Sequence, residues 1–95
     1  MNNKPEYGSI REAVASWIGK LPMNDEFTSV ELFRAMKRAG IKNTPQTIIR
    51  RMYECREDKF GYGWYPVCIS GDKSLYRKMT VKDAHKFLKP KRVLM

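Results

Sequence analysis

Histidine occurs once in this 95-residue chain, cysteine twice, and no apolar stretch approaches membrane length. His85 alone gives no acid–base pair. Cys55 and Cys68 have neither C-x-x-C spacing nor a second histidine to complete a zinc site. No serine sits in a nucleophile-elbow pattern. The acidic neighbours Asp25-Glu26 and Glu57-Asp58 fall in turn-like or helix-end settings, where hydration and capping account for them. Gly61-Tyr62-Gly63 is too short for a phosphate loop, and no strand precedes it. The expectation is therefore no enzyme, no metal and no cofactor. Two cysteines do not make a disulfide scaffold, which points to a cytoplasmic chain with reduced thiols. The longest mainly apolar run, Ala13 to Ile18, is broken by Ser16 and is far short of the roughly 18 residues of a membrane span. The start, Met1-Asn2-Asn3-Lys4-Pro5-Glu6, lacks the apolar stretch of a secretory signal. No membrane association is expected.

Positive charge is what the chain has in excess. Lys and Arg number 19 against 10 Asp and Glu, a formal net charge of +9. Residues 1–40 are nearly balanced, with six basic against five acidic residues, whereas 41–95 carry thirteen against five. From Lys73 to Arg92 eight bases meet one acid, Asp83. Such a concentration attracts polyanions at long range and releases counterions from nucleic acid on contact. At 42% apolar and 12% aromatic the chain can bury one modest core. Residues 1–95 therefore read as one domain.

Ser9-Ile10-Arg11-Glu12 has the capping-box pattern of a helix start. Ile10, Ala13, Val14, Trp17, Ile18 and Leu21 then recur with helical period on one face, and Gly19 and Pro22 close this first helix. Glu26-Phe27-Thr28 is at most a very short strand. Thr28-Ser29-Val30-Glu31 repeats the capping pattern for a second helix, with Leu32, Phe33, Met36 and Ala39 inward and Gly40 as its left-handed cap. Thr44-Pro45 opens a third helix running to about Asp58, with Ile48, Ile49, Met52 and Cys55 to one side. Trp64–Ile69 and Leu75–Met79 read as strands joined by the loop Ser70–Ser74, and Pro66 suits an edge strand. Thr80-Val81-Lys82-Asp83 starts a short fourth helix with Val81, Ala84, His85 and Leu88 inward. Pro90 stops it before a basic tail.

This order over residues 9–79 resembles the winged helix-turn-helix family of DNA-binding domains. The resemblance rests on Glu26-Phe27-Thr28-Ser29-Val30-Glu31-Leu32, the Gly40-to-Thr44 turn, the helix from Pro45 and the Trp64–Met79 hairpin. It covers about three quarters of the chain. It implies an α+β fold with a three-helix core, a β-hairpin wing at 64–79 and a C-terminal helix and tail at 80–95. The small size is similar to phage and mobile-element regulators. The resemblance also implies double-stranded DNA as partner, with the helix 45–58 in the major groove and the wing on the backbone. The residues it places at the groove are Asn43, Thr44, Gln46, Thr47, Arg50 and Arg51. Glutamine suits adenine, arginine suits guanine, and the threonine hydroxyls suit phosphate. Lys73 at the wing tip, with Arg77 and Lys78 on the return strand, would add phosphate contacts. A regulator of transcription, nucleoid-associated in a bacterial or phage setting, is the implied role.

Other readings fit the same residues. Ordinary surface ion pairing would occupy the arginines of the third helix, for example Arg50 with Glu54 at i, i+4. Glu54, Glu57 and Asp58 repel phosphate and leave the end of the third helix to a protein, as in winged helices that dock on larger nucleic-acid enzymes. Phe60, Tyr62, Trp64 and Tyr65 would stack on single-stranded DNA or RNA, although packing between hairpin and helices is the expectation for them. A homodimer would double the base contacts of one module, with the first helix or the C-terminal segment as its surface.

Overall fold

Backbone donors at each helix start find the side chains that the sequence offers. The computed structural model describes residues 9–88. Ser9 Oγ accepts the Glu12 N–H at 3.1 Å and opens α1, Ile10–Gly19. Glu26–Thr28 forms β1, and Thr28 ends it by capping α2, Ser29–Arg38. The Glu31 N–H donates to Thr28 Oγ1 at 3.2 Å, while Glu31 Oε1 accepts the Thr28 N–H at 2.8 Å, so both halves of the capping box are made. Past Ala39, Gly40 takes φ +89°, and the Gly40 and Ile41 N–H groups donate to the carbonyls of Lys37 and Met36. This paired closure needs a left-handed residue, which glycine adopts without strain. Thr44 caps α3, Pro45–Glu54, with proline in its first turn.

The third helix stops four residues short of the expected Asp58. The N–H groups of Cys55, Arg56 and Glu57 donate three residues back in tight turns, and a single 3₁₀ turn follows at Asp58–Phe60. Arg56 then reaches away from the helix, and its Nε and Nη2 donate to the Pro66 carbonyl at 3.1 and 2.9 Å. Trp64–Ser70 forms β2, Leu75–Thr80 forms β3 and Val81–Leu88 forms α4.

The three strands make an antiparallel sheet in the order β1-β3-β2. Phe27 lies opposite Tyr76, and Val67 opposite Arg77. Pro66 therefore lies on an edge strand, where its missing N–H breaks no ladder. Together with α1, α2 and α3 this sheet has the winged-helix arrangement, extended by α4.

Alternation along the strands divides the interior in two. Trp64, Cys68 and Tyr76 face α1, α2 and α3 and join Val14, Ile18, Phe27, Leu32, Met36, Ile48 and Met52 in the main core. Phe27 sits at its centre, edge-on to Trp17 at 5.3 Å and stacked on Tyr76 at 5.6 Å. Tyr65, Val67 and Met79 face the other way and pack on Ala84. Helix α4 thus covers the opposite side of the sheet from the three-helix core. Only Ala84 of its expected inward residues is fully buried. His85 is exposed, with Nε2 3.2 Å from the Tyr65 hydroxyl, and Leu88 is exposed beside Phe87. The basic tail lies outside the described residues.

Candidate nucleic-acid interface

Helix α3 has two unlike ends. Its first turn is open: Asn43, Thr44, Pro45, Gln46 and Arg50 are all exposed. The Thr44 hydroxyl accepts the Thr47 N–H at 3.3 Å and lies 3.1 Å from the Thr47 hydroxyl, so both threonines are tied into the cap. Among the described residues nothing ion-pairs with or hydrogen-bonds to Arg50. Arg51, one residue on, forms an ion pair with Glu54 and is half-buried. The helix thus separates two arginines that are adjacent in sequence into one free cation and one neutralised partner. The pairing with Glu54 that the spacing offered to Arg50 is made by Arg51 instead.

The start of α3 borders further positive charge, which the sequence pattern did not single out. Arg34, Lys37 and Arg38 are exposed along α2, and Lys42 is exposed in the turn. Lys37, Lys42 and Asn43 rim a groove of about 550 Å³ floored by Phe33, Ile41 and Ile48. The polar face of the second helix carried that signal, because Arg34, Lys37 and Arg38 recur at i, i+3 and i+4.

On the wing, Lys73 is exposed in the tip between β2 and β3. Arg77 lies opposite Glu26 across β1 and β3, and its Nε and Nη2 donate to Glu26 Oε2 at 3.1 and 2.5 Å. Lys78 does not face outward as expected. It is 5% exposed, and its Nζ donates to the carbonyls of Gly19 and Leu21 at 3.0 and 2.6 Å. Alternation supplies the reason, since Lys78 shares the core-facing side of β3 with Tyr76. The ammonium closes the C-terminus of α1, where a cation also meets the negative end of the helix dipole. Burial pulls its pKa below the ordinary lysine value.

The aromatic group spends its ring faces on its own members. Phe60 stacks on Tyr62 with centroids 6.0 Å apart, Tyr62 stacks on Trp64 at 5.4 Å, and the Arg11 guanidinium covers Phe60 at 3.8 Å. Trp64 and Tyr65 are buried. Arg56, over the Tyr53 ring and bonded to Pro66, is likewise structural.

Among the described residues no group of three or more His, Cys, Asp or Glu is arranged to hold a metal ion. Cys55 is buried, and burial pushes its thiol up to about 12, far from a reactive thiolate. No helix among these residues is long and apolar enough to cross a membrane. Comparison with protein families, with characterised proteins and with solved structures finds no match.

Proposed function

We propose that the chain is a double-stranded DNA-binding protein that regulates transcription, reading the major groove with the first half of α3. One observation carries this reading: Gln46 and Arg50 stand exposed in one row of that helix, with Arg50 unpaired among the described residues, next to the cations of α2 and the turn. Glutamine offers the donor and acceptor that match adenine, and arginine the fork that matches guanine. Lys37, Lys42 and the wing-tip Lys73 supply the phosphate contacts that hold such a helix in place. The acidic end of α3, with Arg51 neutralised, points away from the backbone. On this reading the protein works in the cytoplasm, on the nucleoid of a bacterial or phage host.

Fluorescence anisotropy on labelled random duplex DNA across a salt series tests the reading. The expected result is a Kd of about 10⁻⁴–10⁻⁶ M at physiological salt, weakening steeply as salt rises. Absence of binding at low salt overturns it.

The groove floored by Phe33, Ile41 and Ile48 favours a second reading, a protein partner whose apolar segment carries acidic residues to meet Lys37 and Lys42. Binding to such a partner persists without duplex DNA and leaves free DNA unbound.

A further inference from the structure

Ile49 is partly buried and packs against the main core, to which α3 also supplies Ile48, Met52 and Cys55, yet part of its side chain stays accessible. It lines an open depression of about 340 Å³ together with Pro45, Gln46 and Arg50. The spacing i, i+1, i+4, i+5 sets these four residues in two neighbouring rows on one helix face. One row, Pro45 and Ile49, is apolar; the other, Gln46 and Arg50, holds the two side chains suited to base edges.

We infer that this depression receives the 5-methyl group of a thymine, so that the protein reads thymine by apolar contact beside the bases read by Gln46 and Arg50. The inference rests on the duplex-DNA reading above. Among the four bases, only thymine presents an apolar group in the major groove. An apolar hollow on a reading helix therefore has one complementary feature there. The flanking cations, Arg50 itself and the nearby Lys42, suit a duplex better than an apolar protein surface. Gln46 and Arg50 are four residues apart, about 6 Å along the helix axis, with Ile49 on the adjoining row between them, so the thymine is expected at or next to the bases they read.

The test begins with sequences enriched from a random duplex library by the unsubstituted full chain. Each thymine in an enriched site is then replaced by deoxyuridine, which removes the methyl group and keeps the base pair. At one or two positions affinity falls about fourfold, the equivalent of one buried methyl group of roughly 0.8 kcal/mol. Ile49→Ala erases that difference at the same positions. Ile49→Val, which trims one carbon, reduces it if the alanine variant loses its helical circular dichroism.

Tight binding with less than 1.5-fold change at every thymine, a threshold set at about measurement error, overturns the methyl contact and leaves the DNA reading standing. A difference that survives unchanged in the Ile49 variants also overturns it. No binding to any duplex at low salt overturns both.

Discussion

Arg77 and Lys78 are neighbours on one strand, so their side chains leave on opposite sides of the sheet. Arg77 reaches across to Glu26, while Lys78 turns into the core side and binds two carbonyls at the end of α1. Lys78→Ala leaves those carbonyls without their donor and opens a gap below Trp64. We predict a loss of about 1–3 kcal/mol in urea unfolding, with no change in the salt dependence of duplex binding. Lys73→Ala, at the exposed wing tip, is expected to do the reverse: stability holds and the salt slope shallows. A second residue-scale prediction concerns alkali. Burial, the main cause in both, raises the Cys55 thiol and the Tyr76 hydroxyl to about 12, from ordinary values of 9.0 and 10.0. Above pH 9 the unfolded chain releases these protons while the folded chain keeps them. The stabilisation is therefore complete below pH 9 and is lost as pH rises towards 12. Lys78, whose pKa burial lowers, opposes this in the window below 10.5, where stability gains with pH. Urea midpoints between pH 7.5 and 11 should fall in the upper part of that range, and Cys55→Ala should remove the part of the fall that starts near pH 9. That part steepens by up to about 1.4 kcal/mol per pH unit.

Helix α3 carries two arginines whose roles its geometry separates. Arg50→Ala is expected to weaken binding to a selected site by about 1–3 kcal/mol and to relax the preference at one base. Arg51→Ala breaks a partly exposed ion pair with Glu54 and should cost less than about 1 kcal/mol of stability, with preference intact. Competition anisotropy against the selected site and single-base variants checks both, and equal effects on preference would remove Arg50 from the reading position. The beginnings of the elements were legible in sequence because their causes are local. Thr28 with Glu31, Thr44 with Pro45, and Gly40 each satisfy backbone groups within a few residues. The end of α3 was not, because the Arg56 guanidinium leaves the helix for a carbonyl ten residues away. Nor was the i, i+3 choice that pairs Arg51 with Glu54, since i, i+4 was equally open to Arg50. The inward turn of Lys78 was legible in principle: Tyr76, two residues earlier on the same strand, already marks the core side. Ile49 reads in sequence as core beside Ile48, and it does pack against the main core, but only in part, which an apolar stripe alone does not tell.

The sheet divides the charge of the described residues as well as their core. In sequence the basic residues crowd towards the end, which draws attention to the fourth helix and the tail. In space, α4 with Lys82 and Lys86 packs behind the sheet, on Tyr65, Val67 and Met79, while α3 lies in front of it. A duplex seated on the first turn of α3 meets Lys37 and Lys42, which rim the groove beside it. Sequence position and distance from α3 thus rank the two lysine pairs in opposite order. The double charge reversal Lys37→Glu with Lys42→Glu is expected to weaken duplex binding at low salt. It should also lower the slope of log affinity against log salt by about 0.9 for each phosphate that is no longer neutralised. The same reversal at Lys82 and Lys86 changes net charge equally but leaves that slope nearly unchanged, because screening reduces their effect beyond a Debye length of about 8 Å at physiological salt. Matching net charge makes the comparison decisive: a general polyanion attraction predicts equal losses from both variants. An oriented interface predicts a large loss from the first alone, and the opposite ranking would place the nucleic acid on the α4 side of the sheet.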